Sequence, residues 1–224
     1  MPLIEIVAVV FGLACVGLTI RRSILCWPTG LVQVVLSSVI FWQVKLYSDF
    51  ALQLIYVGLQ IYGWREWLRE RRPVGESVGK PVGEDAEAGN PAGAGEVPVG
   101  RLSGPAFFGW AVGIAVGSAA LGGAMKEWTD AALPFGDAFT TVASLAAQWL
   151  LAKRAVESWL IWIAVDVVSI ANYYHKDLHL FAGLYAVFLV MATAGYFAWR
   201  RAAATGEPVE PPAIAEPAIA QAKS

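Results

Sequence analysis

CWPTGLVQVVLSSVIFWQVKLYSDFALQLIYVGLQIYGWREWLR, residues 26–69, and SWLIWIAVDVVSIANYYHKDLHLFAGLYAVFLVMATAGYFAWRR, residues 158–201, superpose without a gap when the chain is shifted by 132 positions. Trp27 meets Trp159, Ser37 meets Ser169, Phe41 meets Tyr173, Leu46 meets Leu178, Leu52 meets Leu184, Gly63 meets Gly195, Trp64 meets Tyr196, Trp67 meets Trp199 and Arg69 meets Arg201. Chance similarity between apolar helices gives scattered Leu and Val matches. Here Trp, Gly and the turn region agree in register, so the chain carries an internal repeat.

Composition supplies the environment for that repeat. Of 224 residues, 57% are hydrophobic and only 15% charged, the mean hydropathy is +0.56 and there are 10 tryptophans. These values lie outside the range of soluble domains and point to an integral membrane protein. The formal charge of −2 decides little, because orientation in a bilayer follows where the basic residues fall. No nucleic-acid footprint is visible. Cys15 and Cys26 lie within or beside apolar stretches, where cysteine behaves as a small hydrophobe, and neither a disulfide nor a metal site is expected.

Apolar windows long enough to span a hydrocarbon core of ~30 Å as helices number seven, over residues 3–20, 24–44, 48–68, 104–125, 135–152, 157–175 and 178–199. The fifth is short and contains Gln148. The first lacks a basic region before it and a small-residue cleavage site after it, so it is expected to be retained rather than removed as a signal peptide. Seven spans sort the 16 basic residues by side, with Lys45, Lys126 and Lys176 on one side and the other 13 opposite. The positive-inside rule then predicts an outer N-terminus and a cytoplasmic C-terminus.

The repeat pairs the second and third spans with the sixth and seventh, so an even number of crossings separates the copies and they share one orientation. The expected architecture is all-α, with seven transmembrane helices in a 3+1+3 plan of parallel repeats. Its parts are a first three-helix repeat over 1–72, a flexible cytoplasmic linker over 73–103, a connecting helix over 104–125, a second repeat over 135–201 and a disordered cytoplasmic tail over 202–224. The linker and tail are rich in Gly, Pro and acidic residues, a composition that buries too little surface to fold. Gly109, Gly113 and Gly117 form a stripe on the connecting helix that admits close packing of a neighbour. Parallel repeats are one of the known transporter plans, with the substrate site near mid-membrane between them.

On the sixth helix, Trp159, Trp162, Asp166, Ser169 and Tyr173 recur at steps of 3, 4, 3 and 4 and share one face. A carboxylate at the centre of a bilayer costs roughly 2.5 to 3.5 kcal/mol on insertion scales, so Asp166 requires a wet cavity or a partner. The third helix repeats the spacing with Gln53, Tyr56, Gln60, Gly63 and Trp67. Two such faces turned together line an aromatic, hydrogen-bonding cavity, to which Tyr185, Trp27 and Gln33 are candidate additions. Trp27, Trp64, Trp67 and Trp199 lie near span ends, where tryptophan commonly anchors in the membrane interface. Gln53, Gln60 and Asn172 serve equally well as ligand groups or as ties between helices. His175 and His179 flank Asp177 in a loop, a set too thin for a metal. The chain has no nucleophile elbow, Walker A loop, HExxH or CxxC, and no enzymatic activity or cofactor is expected.

CWPTG after a basic pair, LYSDFALQLIYVGLQIYGWREW, and SWLIWIAVDVVSIANYY followed by LHLFAGLYAVFLVMATAGYFAWRR together resemble the PnuC vitamin transporters, over residues 4–72 and 156–201. The resemblance implies a homotrimer in the bacterial cytoplasmic (inner) membrane that takes up nicotinamide riboside, an NAD precursor, by facilitated diffusion. Uptake is made one-way by a cytoplasmic kinase that phosphorylates the vitamin. It also implies substrate-binding roles for Trp159 and Trp162, the WxxW pair, and for Gln53, Tyr56 and Gln60; Asp166, Asn172, Tyr173 and Tyr185 complete the expected set. Related branches carry thiamine or riboflavin. A pyridinium or thiazolium cation gains about 0.5 to 2 kcal/mol from each Trp face and a counter-charge from Asp166, whereas neutral riboflavin needs none. Asp166 alternatively organises the bundle by a hydrogen bond, or relays protons, although no second ionisable residue shares its face. A membrane scaffold or receptor with a vestigial cavity and a sugar transporter of similar plan are the remaining readings.

Overall fold

A computed structural model describes residues 2–43, 45, 47–69 and 97–204. It is all-helical, with α1 (Pro2–Ile20), α2 (Cys26–Gln43), α3 (Tyr47–Arg69), α4 (Gly104–Trp128), α5 (Pro134–Ala152), α6 (Ser158–His175) and α7 (His179–Ala203). Each expected apolar window forms one helix, and α4 and α7 run a turn beyond the windows. Ser103 starts α4 by accepting a hydrogen bond from Ala106 N, followed by a proline in the first turn where its missing N–H is harmless. Helices α1, α4 and α7 are long and apolar enough to cross a bilayer. The other four carry the polar residues of the chain's interior, which lower their mean hydropathy.

The packing has an internal symmetry. Helix α2 packs on α1 and α3, α6 packs on α5 and α7, and the halves meet where α1 touches α7 and α5 touches α3. Exchanging α1 with α5, α2 with α6 and α3 with α7 leaves this set of contacts unchanged. Helix α4 stands outside it, packed on α5. The turns obey the same exchange. Among the described residues, the non-glycine ones with positive φ are Arg22 (54°), Lys45 (61°), Arg154 (63°) and Asp177 (56°), two pairs that are each 132 positions apart. Ser23 N donates to Leu18 O at 3.0 Å and Ala155 N to Leu150 O at 3.0 Å, again at matching positions. A left-handed residue is uncommon away from glycine, so its recurrence in register extends the repeat back from α2 and α6 to the turns that precede them.

Four tryptophans fill the core at the end of the bundle that carries Arg22 and Arg154. Trp27 meets Trp67 edge-on at 5.3 Å and 82°, Trp159 meets Trp199 at 5.5 Å and 85°, and Trp67 joins Trp199 across the two halves at 6.1 Å. Each pair is closed by a glycine. A Cβ on Gly63 would enter the ring of Trp27, and one on Gly195 would lie 2.7 Å from the ring of Trp159. Trp199 Nε1 donates to Thr19 O at 3.0 Å and thereby ties α7 to α1. Trp27, Trp67 and Trp199 are 1%, 0% and 0% exposed; they are core residues and not the interfacial anchors expected from their positions near span ends.

A second cluster joins Ile114 of α4, Ala143, Ala147 and Leu150 of α5, and Ile161 and Val165 of α6. The aliphatic back of α6 therefore packs inward against α5. Large apolar residues on the perimeter, among them Leu3, Val10, Val116, Leu180 and Val190, are exposed, as expected where the surrounding solvent is lipid.

Two expectations are corrected. The segment read as a flexible linker over 73–103 is ordered from Val97 onward, while residues 73–96 lie outside the described residues, as does the tail beyond Ala204. Val97 and Val99 are buried among the four tryptophans. Gly100 pairs as a parallel bridge with Ala155, through Gly100 N to Arg154 O at 3.1 Å and Val156 N to Gly100 O at 2.9 Å. Glu157 then holds the strap, accepting from Leu102 N at 2.8 Å and pairing with Arg101 at 3.6 Å. Of the three stripe glycines on α4, a Cβ at Gly109 or Gly113 would meet nothing within 4 Å, and only Gly117 faces a close neighbour, Val142 at 3.2 Å. The stripe is largely open instead of buried against another helix of the chain.

Overpacking a tight core costs about 1 to 3 kcal/mol. Gly63→Ala and Gly195→Ala are therefore each expected to lower the thermal midpoint of the detergent-purified protein, whereas Gly183→Ala, where a Cβ would meet nothing within 4 Å, leaves it unchanged or raises it. Equal midpoints for all three would contradict the close ring contacts.

Candidate substrate site

The site is organised around Tyr185 on α7. Its ring stacks on Tyr173 of α6 at 5.2 Å and 29°, and Tyr173 stacks in turn on Phe181 at 5.4 Å. Phe188, one turn along α7, meets Tyr185 edge-on at 6.0 Å. Asp166 of α6 and Tyr56 of α3 both lie within electrostatic range of Tyr185, which brings residues of three helices to one locus. Asp166 is 4% exposed, so its carboxyl faces the interior of the bundle. Tyr56 donates to Ser144 Oγ of α5 at 2.5 Å, and Ser144 donates onward to Thr141 O at 3.0 Å. This chain fixes the phenol from the far side and links the first bundle to the second.

Trp162 lies one turn from Asp166 toward the tryptophan core. It is partly buried and packs against both apolar clusters, so its ring bridges the site and the core. Gln53 is partly buried on the same helix as Tyr56. Tyr173, Tyr185, Asp166 and Tyr56 thus come together from three helices, with Trp162 one turn from Asp166 and Gln53 one turn from Tyr56 along their own helices.

Three other expected residues sit elsewhere. Trp159 belongs to the four-tryptophan core, over Gly195, and its indole nitrogen is buried with no partner among the described residues. Gln60 is buried with its amide against Gly30 and beside Cys15, at the junction of α1, α2 and α3. Asn172 donates to Asp137 Oδ1 of α5 at 3.3 Å, and its amide closes on the backbone at Gly136. Asp137 also takes both its oxygens to Lys176 Nζ at 2.9 Å. Asn172 thus ties the start of α5 to the end of α6. His179 packs against Tyr174 at 5.3 Å, and no group of three His, Cys, Asp or Glu comes together among the described residues.

Ser144 and Asp137 were not singled out in the sequence. Both belong to α5, which lies before the stretch where the repeat is legible in sequence, and neither residue type is unusual in a helix. The polar spacing of Asp137, Thr140, Thr141 and Ser144 on one side of α5 is the signal that was present.

At the opposite end of α3, Lys153 Nζ pairs with Glu66 at 2.9 Å and lies over the rings of Tyr62 and Trp149, which stack at 4.9 Å and 1°. Burial works against charge on Lys153, but Tyr62 and Glu66 outweigh it and hold its pKa above the ordinary lysine value. A hollow of about 480 Å³ opens beside this pair, lined by Gly58, Ile61, Tyr62, Arg65, Glu66 and Arg69. It lies on the outer face of α3, away from Tyr185.

Comparison with known proteins gives this arrangement a family. The nicotinamide riboside transporter PnuC of Escherichia coli K12 is 28% identical over 201 residues, which cover 88% of this chain and 84% of that protein. The protein of the same name from Neisseria mucosa is 27% identical over 207 residues, 87% of this chain and 71% of that one. A riboflavin/roseoflavin transporter, RibM, of Streptomyces davaonensis is 27% identical over 175 residues, covering 74% and 70%. The crystal structure of the vitamin B3 transporter PnuC superposes with a TM-score of 0.68 at 25% identity, over 88% of this chain and 80% of that one. The relatives are transporters. The family model described as nicotinamide mononucleotide transporter matches residues 2–201, and with that match across both halves and the link between them, the chain belongs to this family of multi-pass membrane transporters.

Proposed function

We propose that the chain carries nicotinamide riboside across the bacterial cytoplasmic membrane by facilitated diffusion, with a cytoplasmic kinase trapping the vitamin by phosphorylation. The observation that carries this reading is the buried carboxylate of Asp166 beside Trp162 and the stacked Tyr173–Tyr185 pair. A pyridinium ring is flat and cationic. Aromatic faces attract it by about 0.5 to 2 kcal/mol each when desolvated, and a carboxylate in a low-dielectric interior supplies the counter-charge that hydration supplied outside. Gln53 and Tyr56 offer hydrogen bonds suited to a ribose.

The scaffold in this proposal is two parallel three-helix bundles, α1–α3 and α5–α7, linked by α4, with seven crossings, an outer N-terminus and a cytoplasmic C-terminus. The exchange symmetry of the helix packing supports the plan, and the concentration of Arg and Lys at the tryptophan end supports the orientation. Trp159 and Gln60 act on the substrate through Trp162 and the α2–α3 junction, and Asn172 by fixing α5 against α6. The protein assembles as a homotrimer, for which the open glycine face of α4 offers a place of close helix approach.

A second reading has one specific observation behind it, the similarity to a riboflavin/roseoflavin transporter. Thiamine, the other cationic vitamin, satisfies the same charge argument as nicotinamide riboside. A thermal-shift titration with nicotinamide riboside, thiamine and riboflavin separates these cases. A ligand that binds only the folded state stabilises it by RT ln(1 + [L]/Kd), about 2.7 kcal/mol at a hundredfold excess over Kd. Nicotinamide riboside is expected to raise the midpoint most; a larger shift with riboflavin or thiamine would move the substrate to that vitamin. Asp166→Asn is expected to weaken nicotinamide riboside binding by about tenfold or more, as loss of one desolvated charge contact implies, with little change in folded yield. Unchanged affinity with collapse of the yield would make Asp166 a packing residue instead.

A further inference from the structure

The hollow on the outer face of α3 combines three chemistries in one line. Gly58 and Ile61 come first, with a Cβ on Gly58 meeting nothing within 4 Å and Ile61 exposed. Tyr62 follows, stacked on Trp149 of α5. Arg65, Glu66 and Arg69 close the far end. Glu66, the one carboxylate there among the described residues, is already shared, held by Lys153 at 2.9 Å and approached by Arg69 at 4.0 Å. Among the described residues three cations, Arg65, Arg69 and Lys153, therefore face one anion, and their sum at the mouth is positive.

The spacing matches a leaflet. From Gly58 to Arg69 is eleven residues, about 16 Å along a helix, close to half of a hydrocarbon core ~30 Å thick. Apolar groove, aromatic step and basic rim then lie at the depths of an acyl chain, the carbonyl region and a phosphate. Aromatic rings favour that middle level, and arginine forks match phosphate oxygens.

We propose that this groove binds one anionic phospholipid, its phosphodiester between Arg65 and Arg69 and an acyl chain lying over Gly58 and Ile61. The lipid would seat α3 against α5 at the Tyr62–Trp149 stack, a place where the halves of the bundle touch. The site is separate from the Tyr185 region, and its existence does not depend on which vitamin is carried.

The test uses the full chain purified in dodecylmaltoside, with native mass spectrometry counting bound lipid. Phosphatidylglycerol is expected to stay on the wild-type protein where phosphatidylcholine is lost. The double variant Arg65→Gln, Arg69→Gln is expected to bind phosphatidylglycerol about thirtyfold more weakly, the effect of two surface cations. Gly58→Leu keeps every charge and fills the groove, so it is expected to reduce lipid retention too, and it decides the matter if the double variant does not fold. Equal retention of both lipids would overturn the proposal. So would displacement of the lipid by an equal concentration of inorganic phosphate. Dispersal of an oligomer by Gly58→Leu without loss of lipid would assign the groove to a second copy of the chain and overturn it as well.

Discussion

Two tryptophans seated on two glycines, Trp27 on Gly63 and Trp159 on Gly195, set how closely α2 approaches α3 and α6 approaches α7. Everything else follows from that spacing. It aims Trp67 and Trp199 at each other across the halves, and it brings Trp199 Nε1 within reach of Thr19 O. Each aromatic pair adds about 0.5 to 1.5 kcal/mol beyond the area it buries. Against this stand the indole nitrogens of Trp27, Trp67 and Trp159, buried with no partner among the described residues, at about 1 to 3 kcal/mol each. The packing gain must exceed that cost, which is why the glycines opposite have no room for a methyl group. Val97 and Val99 complete the enclosure, so the strap before α4 is part of the core.

The scaffold is symmetric, but the lining is not. Under the 132-residue shift, Gly30 corresponds to Trp162, Gln60 to Ala192, Val34 to Asp166 and Gln53 to Tyr185. In the first half a small residue on α2 receives the Gln60 amide; in the second, the large ring stands on α6 and the small residue on α7. The carboxylate and the tyrosine stack fall on the second half alone. In the proposed reading, a substrate between the halves meets an aromatic wall that bears the Asp166 carboxyl on one side and the Gln53 amide and Tyr56 phenol on the other. Such a division suits a molecule with a flat cationic ring at one end and hydroxyls at the other, and it follows from divergence of a duplicated unit without change of its register.

Much of this was legible in the sequence because a gapless repeat constrains many residues at once. Seven apolar windows and the matched Trp and Gly positions led directly to seven helices, and the spacing on α6 placed Trp162, Asp166 and Tyr173 on one side. What failed was direction. A tryptophan near a span end looks the same whether it points to the interface or to a partner helix, and only the glycine opposite distinguishes the two. Asn172 shares its helix with Asp166, but its partner, Asp137, lies on α5 and could not be located without that helix's rotation. The strap was masked by composition: Val97 and Val99 alternate with the exposed Pro98 in the two-residue period of an extended segment, but they stand beside a long run of Gly, Pro and Glu.

The central claim is passive passage of a vitamin between two halves of one duplicated fold, and the most direct measurement is uptake of labelled nicotinamide riboside into proteoliposomes that contain the purified chain and no kinase. The expected result is rapid equilibration to the outside concentration, unchanged by a protonophore and halted at that level. Accumulation above the outside concentration that a protonophore abolishes would contradict passive passage and make Asp166 a proton carrier; no entry above that of empty liposomes would contradict the claim of transport.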